Sequence, residues 1–174
     1  MRKRALIAGV AVVLVAGTGF GLYWFQPWKL FTDTTVTEAL SNPTPEQGAS
    51  ATANAPVVTR QGTFITHEHD TTGTARLVRN PDGSYQLELV GLVTSDGPDL
   101  RVWLTDQEVK HGTAGWRVFD DGEYAELGKL KGNHGDQVYR VAAGVDPAAF
   151  RSVSIWCKRF AVSFGAAELT PVPS

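Results

Sequence analysis

A long apolar segment at the start of the chain constrains its architecture more than any other feature. Ala5 to Phe25 contains no charged residue, and its length, about 20 residues, is what a helix needs to cross a bilayer. No polar face interrupts the segment, which argues against a helix buried in a soluble core. We therefore predict a cytoplasmic tip at residues 1–4 and one transmembrane helix at residues 5–25.

The flanks of this segment predict its orientation. Arg2, Lys3 and Arg4 precede it and the next positive residue is Lys29, so the positive-inside bias places the N-terminus in the cytoplasm and the remainder outside. A cleaved secretory signal is the alternative, but the YWFQPW sequence that follows is too bulky for a peptidase site. We favour an uncleaved anchor in the cell membrane. The aromatic residues expected at the outer headgroup layer are Tyr23, Trp24, Phe25 and Trp28.

Residues 26–60 are expected to connect the anchor to a folded domain. The stretch SNPTPEQGASATANAP has no aromatic or large aliphatic residue, so it cannot bury enough surface to fold. Such a composition is typical of a flexible stalk. In the preceding LFTDTTVTEAL, a capping Thr or Asp favours a short juxtamembrane helix.

Short strands are predicted from Gln61 to residue 170. In SYQLELVGL, Tyr85, Leu87 and Leu89 share one face of a strand because side chains alternate. This run and ARLVRN flank Pro81-Asp82-Gly83, whose Pro and Gly favour a tight turn, so together they predict a β-hairpin. The same alternation recurs at residues 100–104, 137–141, 153–157 and 161–169.

The spacing of these runs indicates the fold class. Asp146-Pro-Ala-Ala-Phe predicts one helical turn between strands, with Asp capping and Pro in the first position. No segment after the stalk has a sustained helical period. We predict an all-β domain at residues 61–170, an antiparallel β-sandwich of about seven or eight strands or a small barrel. Residues 171–174 form a tail.

Charge and cysteine content narrow the function. The net charge is −2, with basic and acidic residues mixed along the chain, so no basic stripe is present for a phosphate backbone and nucleic acid is not expected as a partner. Cys157 is the only cysteine, which rules out an intramolecular disulfide. Outside the cytoplasm, that thiol has no reducing pool to protect it.

The order of several motifs resembles the DM-thirteen domain family. The resemblance covers about residues 60 to 170. Its motifs are Gly62-Thr-Phe64, His69, Gly73-Thr-Ala, PDGSYQLEL, Gly97-Pro-Asp-Leu100, Val102-Trp-Leu104, LGKLKG, QVYRV and VSIWCKRFAVSFGAAEL.

The resemblance implies a redox function. Members of this family are described as electron-transfer or redox modules with a nearly invariant Cys, and Cys157 occupies that position. In animals and plants the domain occurs beside haem-binding DOMON domains. No DOMON or cytochrome region follows here, so an electron partner would be another chain, either a membrane redox protein or a cell-envelope protein.

The surroundings of Cys157 leave two interpretations open. Alternation places Cys157 on the face of Val153 and Ile155, which points the thiol into the core, where burial raises the pKa and makes it inert. Arg159 falls on the same face if the strand continues, and its guanidinium would then favour the thiolate. Trp103 and Trp156 fall on the opposite face, where they cover the second face of a sandwich or rim a binding site.

Two histidines and one aspartate complete the candidate site. His67 and His69 are spaced i, i+2 and would share a strand face, close enough to bind one metal ion or haem; solvated histidines are the alternative. A third ligand would come from His134, Asp99 or Cys157. Of the pair, only His69 lies on the family pattern, which makes His69 the preferred neighbour of Cys157. Asp99 is expected to cap the turn in Gly97-Pro-Asp-Leu.

The sequence thus supports three hypotheses in order. The first is a membrane-tethered redox accessory module centred on Cys157, with His69, Arg159 and Asp99 as neighbours. The second is a non-catalytic β-sandwich that binds a cell-envelope partner or ligand, with a structural Cys157. An enzyme is last, because the chain lacks hydrolase, metalloprotease, phosphate-loop and Cys-x-x-Cys motifs.

Overall fold

One long helix precedes the β domain. The computed structural model describes residues 2–41 and 55–172. Helix α1 spans Arg2–Phe25, and the stretch Gly9–Lys29 is long and apolar enough to cross a membrane. A 3₁₀-helix, Pro27–Phe31, follows directly.

The described residues contain eleven strands. Eight have six residues or more, while β1, β3 and β11 have two or three. In chain order they are β1 (Thr35–Thr37), β2 (Val57–Thr63), β3 (Ile65–Thr66), β4 (Thr72–Arg79), β5 (Tyr85–Val93), β6 (Leu100–Thr105), β7 (Tyr124–Lys129), β8 (His134–Arg140), β9 (Ser152–Cys157), β10 (Val162–Glu168) and β11 (Thr170–Pro171).

The strands form two sheets that enclose one core. The six-stranded sheet has the order β1-β8-β5-β4-β2-β11, and the five-stranded sheet has the order β3-β10-β9-β6-β7. Neighbours are antiparallel except for β1 and β8, which are parallel. Leu87 and Leu89 of one sheet and Val153 and Ile155 of the other belong to the same buried cluster. The predicted all-β fold with one preceding apolar helix is confirmed.

Two predictions from local sequence are also confirmed. Strands β4 and β5 form the hairpin expected around Pro81-Asp82-Gly83, closed by the Gly83 N–H donating to the Asn80 carbonyl at 2.9 Å. The helical turn Pro147–Ala149 is capped by Asp146, whose side chain accepts a hydrogen bond from the Ala148 N–H. Turn chemistry decides these elements locally, so the sequence alone is sufficient to find them.

The five-stranded sheet is covered on its outer face as well. The connection at residues 106–123 contributes Phe119, which packs with Trp103, Trp156 and Ala166 in a second buried cluster. The Trp103 and Trp156 rings stack with centroids 5.1 Å apart. These two tryptophans therefore cover the second face of the sheet, and every residue of β9 is buried.

The residues after the anchor differ from the prediction. From residue 32 to residue 41 the chain does not form a helix, and β1 adds to the edge of β8 instead. The Thr and Val residues of TTVT are β-branched, which suits a strand once a free edge is available. We call residues 32–41 the strap. The short juxtamembrane helix expected in LFTDTTVTEAL is thus not observed, and residues 57–60 belong to β2. Residues 42–54, which include most of the expected stalk, lie outside the described residues.

Hydrogen bonds hold the strap to the domain along its length. Besides the pairing of β1 with β8, further hydrogen bonds join the strap to the domain. These contacts include the Thr34 N–H to Asn133 Oδ1 at 2.7 Å, Lys131 Nζ to Glu38 Oε2 at 2.7 Å, and the Ser41 N–H to Glu88 Oε1 at 2.7 Å.

Two glycines make room for the strap. A Cβ on Gly132 would meet the carbonyl oxygen of Thr34, and a Cβ on Gly135 would meet the carbonyl oxygen of Val36. Gly135 also has a φ of +100°, which other residues rarely adopt. The motif LKGNHGD therefore encodes the seat of the strap.

Substitution of Gly135 tests this seat. We expect Gly135→Ala to lower the free energy of unfolding through backbone strain of roughly 1–3 kcal/mol and through overpacking against the strap of about 1–3 kcal/mol. Amide exchange at residues 34–41 should accelerate as the strap is displaced. Denaturant unfolding and hydrogen exchange of the full chain measure the two effects.

Gly144→Ala is the matched control. Gly144 also has a positive φ, +92°, but nothing lies within 4 Å of an added Cβ. This variant should carry only the backbone strain and leave strap exchange unchanged. Equal strap exchange in the two variants would contradict the role assigned to Gly135.

Candidate functional site

Cys157 is the last residue of β9, the central strand of the five-stranded sheet. It pairs with Val162 of β10 on one side and with Leu100 of β6 on the other. Its exposed fraction is 0%, and it belongs to the core cluster between the sheets together with Val153 and Ile155. The inward orientation expected from alternation is therefore present.

Two opposing effects act on the Cys157 thiol. Burial is the largest and raises its pKa above the ordinary value of 9.0. Backbone N–H groups of Phe160, Asp99 and Arg159 act in the opposite direction, and the negative charge of Glu68 adds to the rise. Because burial is the largest of these effects, a neutral thiol is favoured.

The turn after β9 covers the thiol and contacts α1. Because β9 ends at Cys157, the Arg159 guanidinium does not follow the strand, and NH1 instead donates to the carbonyls of Tyr23 at 3.2 Å and Trp24 at 2.7 Å. The same guanidinium lies 5.4 Å from the Trp24 ring centroid. The expectation that this guanidinium supports the thiolate is therefore not met, since it binds the last carbonyls of α1, where a cation is favoured.

Two further contacts join this end of the domain to α1 and the 3₁₀-helix. The Phe160 ring stacks on that of Phe25 with centroids 5.8 Å apart. Lys29 forms a salt bridge of 3.2 Å with Asp96 in the connection that leads to β6. We call the turn at residues 158–161 and the connection at residues 94–99 the anchor-side pole.

Asp99 approaches Cys157 through its backbone and not through its side chain. Its carboxylate pairs with Arg101 at 2.8 Å, so the expected turn cap is not formed by this group. Arg101 also pairs with Glu126 at 2.7 Å. The Asp99 carbonyl accepts a hydrogen bond from the Lys158 N–H at 3.0 Å and so fixes the turn that covers the thiol.

His69 lies beside the core but across one strand from Cys157. Its ring is 3.9 Å from the Phe164 ring centroid, and burial lowers its pKa. Strands β3 and β9 flank opposite sides of β10, so two strand spacings, about 10 Å, separate the neighbourhoods of His69 and Cys157. Neighbouring strands, the condition for a direct His69–Cys157 pair, are not present.

His67 contacts a different set of residues. It is 5% exposed, with Nδ1 2.9 Å from Ser163 Oγ and Nε2 3.0 Å from the Lys110 carbonyl. Since a carbonyl can only accept, Nε2 carries the proton and Nδ1 accepts from Ser163. Ser154 Oγ donates to Ser163 at 3.0 Å and completes a buried chain that sequence reasoning missed.

The metal or haem hypothesis depends on whether the histidine ring nitrogens are free to bind a ligand. Both ring nitrogens of His67 already have protein partners, whereas His134 lies 3.8 Å from Asp33. Over residues 2–41 and 55–172, no group of three or more His, Cys, Asp or Glu side chains is arranged to hold a metal ion. A metal or haem site at His67 and His69 stays a prediction.

Reactivity of the native thiol tests its burial. We expect an alkylating reagent to modify Cys157 in the native chain about 100-fold more slowly than in denaturant, which corresponds to a local opening free energy of about 3 kcal/mol. Lys158→Cys provides an exposed neighbour that should react at once. A native rate close to the denatured rate would contradict the burial.

The raised pKa of Cys157 also predicts that the chain loses stability at alkaline pH. A thiol whose folded pKa exceeds its unfolded pKa contributes stability that is present below pH 9.0 and is lost as the pH rises above that value. Cys157→Ala should remove this part of the alkaline loss. Denaturant midpoints measured between neutral and alkaline pH provide the comparison.

His67 predicts an acid sensitivity. Burial is the main cause that lowers the pKa of His67 below its ordinary value of 6.5, so its contribution to stability is present above that pH and is lost as the pH falls below it. For one such group, the free energy of unfolding changes by at most about 1.4 kcal/mol per pH unit. In His67→Gln, the free energy of unfolding should fall less steeply as the pH drops below 6.5. An unchanged slope would show that His67 is not the cause of the acid sensitivity.

Comparisons with known proteins identify the family of the β domain. Comparison with curated proteins and with solved structures found no match. A family model described as electron transfer DM13 matches residues 63–169. This range is more than half of the 174 residues and includes every strand from β3 to β10. The chain therefore belongs to the electron transfer DM13 family, as the sequence motifs predicted.

Proposed function

We propose that this protein is a membrane-anchored redox accessory module in which Cys157 exchanges electrons with a partner protein outside the cytoplasm. The membership in a family described as electron-transfer supports a redox-related function in general. The proposal adds the residue that carries the function, the membrane anchor α1, and the location of the domain.

One observation carries the assignment to Cys157. The thiol is buried at the end of β9, and burial raises its pKa, while smaller contributions from the backbone amides of Phe160, Asp99 and Arg159 act in the opposite direction. Backbone donors cost little to reorganise, so they stabilise charge on a thiolate as it forms. They come from two connections, at residues 94–99 and 158–161, that meet over the end of β9.

Thiol–disulfide exchange is the chemistry that fits a single cysteine. When the turn at residues 158–161 opens, the Cys157 thiolate attacks one sulfur of a partner disulfide; a mixed disulfide forms, the partner S–S bond breaks, and the leaving thiolate takes the proton that Cys157 gave up. A second partner thiolate then attacks the mixed disulfide and releases Cys157 in reduced form. The new S–S bond joins the attacking sulfur to the partner sulfur that Cys157 had held. An attack from within the first partner re-forms its disulfide, whereas an attack by a thiolate of a second protein leaves the two partners joined by a disulfide; in both cases Cys157 leaves as a thiolate and is unchanged.

The proposed location of the domain makes partner disulfides available to Cys157. The chain has one cysteine and therefore depends on a partner for a second sulfur. Outside the cytoplasm, disulfides persist and are available for exchange. An anchored domain meets partners that are themselves in the membrane or the cell envelope at a raised effective concentration. His69, on the far side of β10, is proposed to help shape the approach to the site and not to touch the thiol.

A second candidate function rests on the burial of Cys157. Its exposed fraction is 0% and it packs within the main core, as structural cysteines do. In this alternative the β-sandwich binds a cell-envelope partner or ligand and Cys157 only fills space. Replacement of Cys157 by Ala would then lower stability while it leaves partner binding intact.

Exchange with a defined disulfide separates the two candidates. The full chain in lipid nanodiscs is incubated with oxidised glutathione at neutral pH, and the mixed disulfide is detected by intact-mass spectrometry and reversed with reduced glutathione. We expect reversible modification of the wild type with a reproducible midpoint, and none in Cys157→Ala. Ser154→Ala, which alters the same strand but retains the thiol, is the matched control and should remain competent.

The state of the fold must be measured in the same samples. Modification that occurs only when the chain has unfolded, as judged by circular dichroism and proteolysis, would overturn the redox proposal and favour the structural alternative. Modification of the folded chain that persists in Cys157→Ala would show that the label is elsewhere, which also overturns it.

A further inference from the structure

We propose that the domain is seated on the lipid surface with the anchor-side pole, and hence the end of β9 that carries Cys157, towards the bilayer, and is not suspended on a flexible tether. The inference rests on the proposed function in one respect, the assignment of α1 as a membrane anchor. Its partner is the headgroup layer around the end of α1. It therefore predicts which partners can reach the thiol: those that lie in or on the same membrane.

Three contacts fix the pole against the end of the helix. Arg159 binds the carbonyls of Tyr23 and Trp24, Phe160 stacks on Phe25, and Lys29 pairs with Asp96. They combine a cation at the helix C-terminus, an aromatic stack and an ion pair. Because they involve both connections of the pole, they restrain rotation of the domain about the anchor.

The strap leaves no free linker between the anchor and the sheet. The 3₁₀-helix ends at Phe31 and β1 begins at Thr35, where it pairs with β8. Three residues therefore separate the last helical residue from the first paired one. A chain this short and hydrogen-bonded at both ends cannot act as a flexible spacer.

The exposed apolar side chains also point to lipid. Large hydrophobic residues exposed among the described residues lie mostly in α1 and the 3₁₀-helix, with only Val57, Val93 and Tyr124 exposed in the β domain. At the junction, Phe25 is 61%, Trp28 49% and Phe31 86% exposed. Aromatic rings prefer the headgroup layer, so these residues extend the lipid-contacting surface of α1 to the base of the domain.

Backbone strain is concentrated at the same junction. Among the described non-glycine residues, Gln26 (φ 45°) and Ala161 (φ 49°) are the ones with positive φ. Gln26 joins α1 to the 3₁₀-helix, and Ala161 ends the turn that covers Cys157. Such conformations persist only where the surroundings enforce them, which indicates that the junction has a defined geometry.

The length of β5 gives the distance between the two ends of the domain that a test of the seating can use. Val93 is at the end of β5 that leads into residues 94–99, and Tyr85 is at the other end, next to Arg79 of β4. With a rise of about 3.3 Å per residue, β5 spans roughly 25–30 Å. A seated domain therefore holds position 158 near the lipid surface and position 79 far from it.

Energy transfer to the membrane surface measures this difference. The full chain is reconstituted in phosphatidylcholine vesicles that contain a headgroup-labelled acceptor lipid, and a donor dye is attached through a genetically encoded amino acid at position 158 or at position 79. Cys157 is left unaltered. We expect transfer from position 158 to be several-fold higher than from position 79. Equal transfer from the two positions would overturn the seating.

Variants at the junction test the contacts themselves. Arg159→Ala should lower the ratio of transfer from position 158 to that from position 79, because it removes the two bonds to the end of α1. Arg140→Ala, an exposed arginine at the end of β8 away from the pole, is the matched control and should not change the ratio. An unchanged ratio in Arg159→Ala would overturn the role given to this contact.

Failure of the seating can be told apart from failure of the proposed function. Flotation of the vesicles reports whether the chain is inserted. A chain that does not float with the vesicles overturns the anchor on which both proposals depend. A chain that floats, with equal transfer from both positions, overturns only the seating and leaves the glutathione exchange of Cys157 as a separate result.

Discussion

Complete burial of β9 is the constraint on which the rest of the structure depends. Its six residues are covered on one face by the six-stranded sheet and on the other by Trp103, Phe119 and the connection at residues 106–123. Strands buried on both faces cannot carry large polar groups without partners, and the polar residues of β9 are small, hydrogen-bonded serines and one cysteine. The thiol is thus placed where sheet packing ends and a single turn separates it from the outside.

The turn at residues 158–161 links three parts of the molecule. Its Phe160 N–H donates to the Cys157 carbonyl at 3.2 Å, its Arg159 side chain binds the end of α1, and its Phe160 ring packs on Phe25. A change in any one of these contacts alters the cover over the thiol. Electrostatics at the site follow from this arrangement: burial dominates and keeps the thiol neutral, while the nearby amides lower the cost of ionisation.

The sequence predicted the local elements well because their signals are local. The hairpin at Pro81-Asp82-Gly83 and the cap by Asp146 depend on turn chemistry within a few residues. It failed for the strap, because β1 is stable only as an addition to β8, and composition does not reveal a partner about 100 residues away. It also failed for the side chains of Arg159 and Asp99, whose partners are set by where β9 ends and by Arg101.

By itself, the sequence determined the apolar N-terminal helix, the all-β fold, the DM13 family and the inward orientation of Cys157, because hydrophobic length, alternation and ordered motifs are carried by neighbouring residues. Only the tertiary structure decided which groups surround the thiol. It separated His69 from Cys157 by one strand and used both ring nitrogens of His67 inside the protein. It also joined the strap to β8 and the turn at residues 158–161 to the end of α1. These contacts join residues far apart in the chain, so strand order, not sequence spacing, sets them.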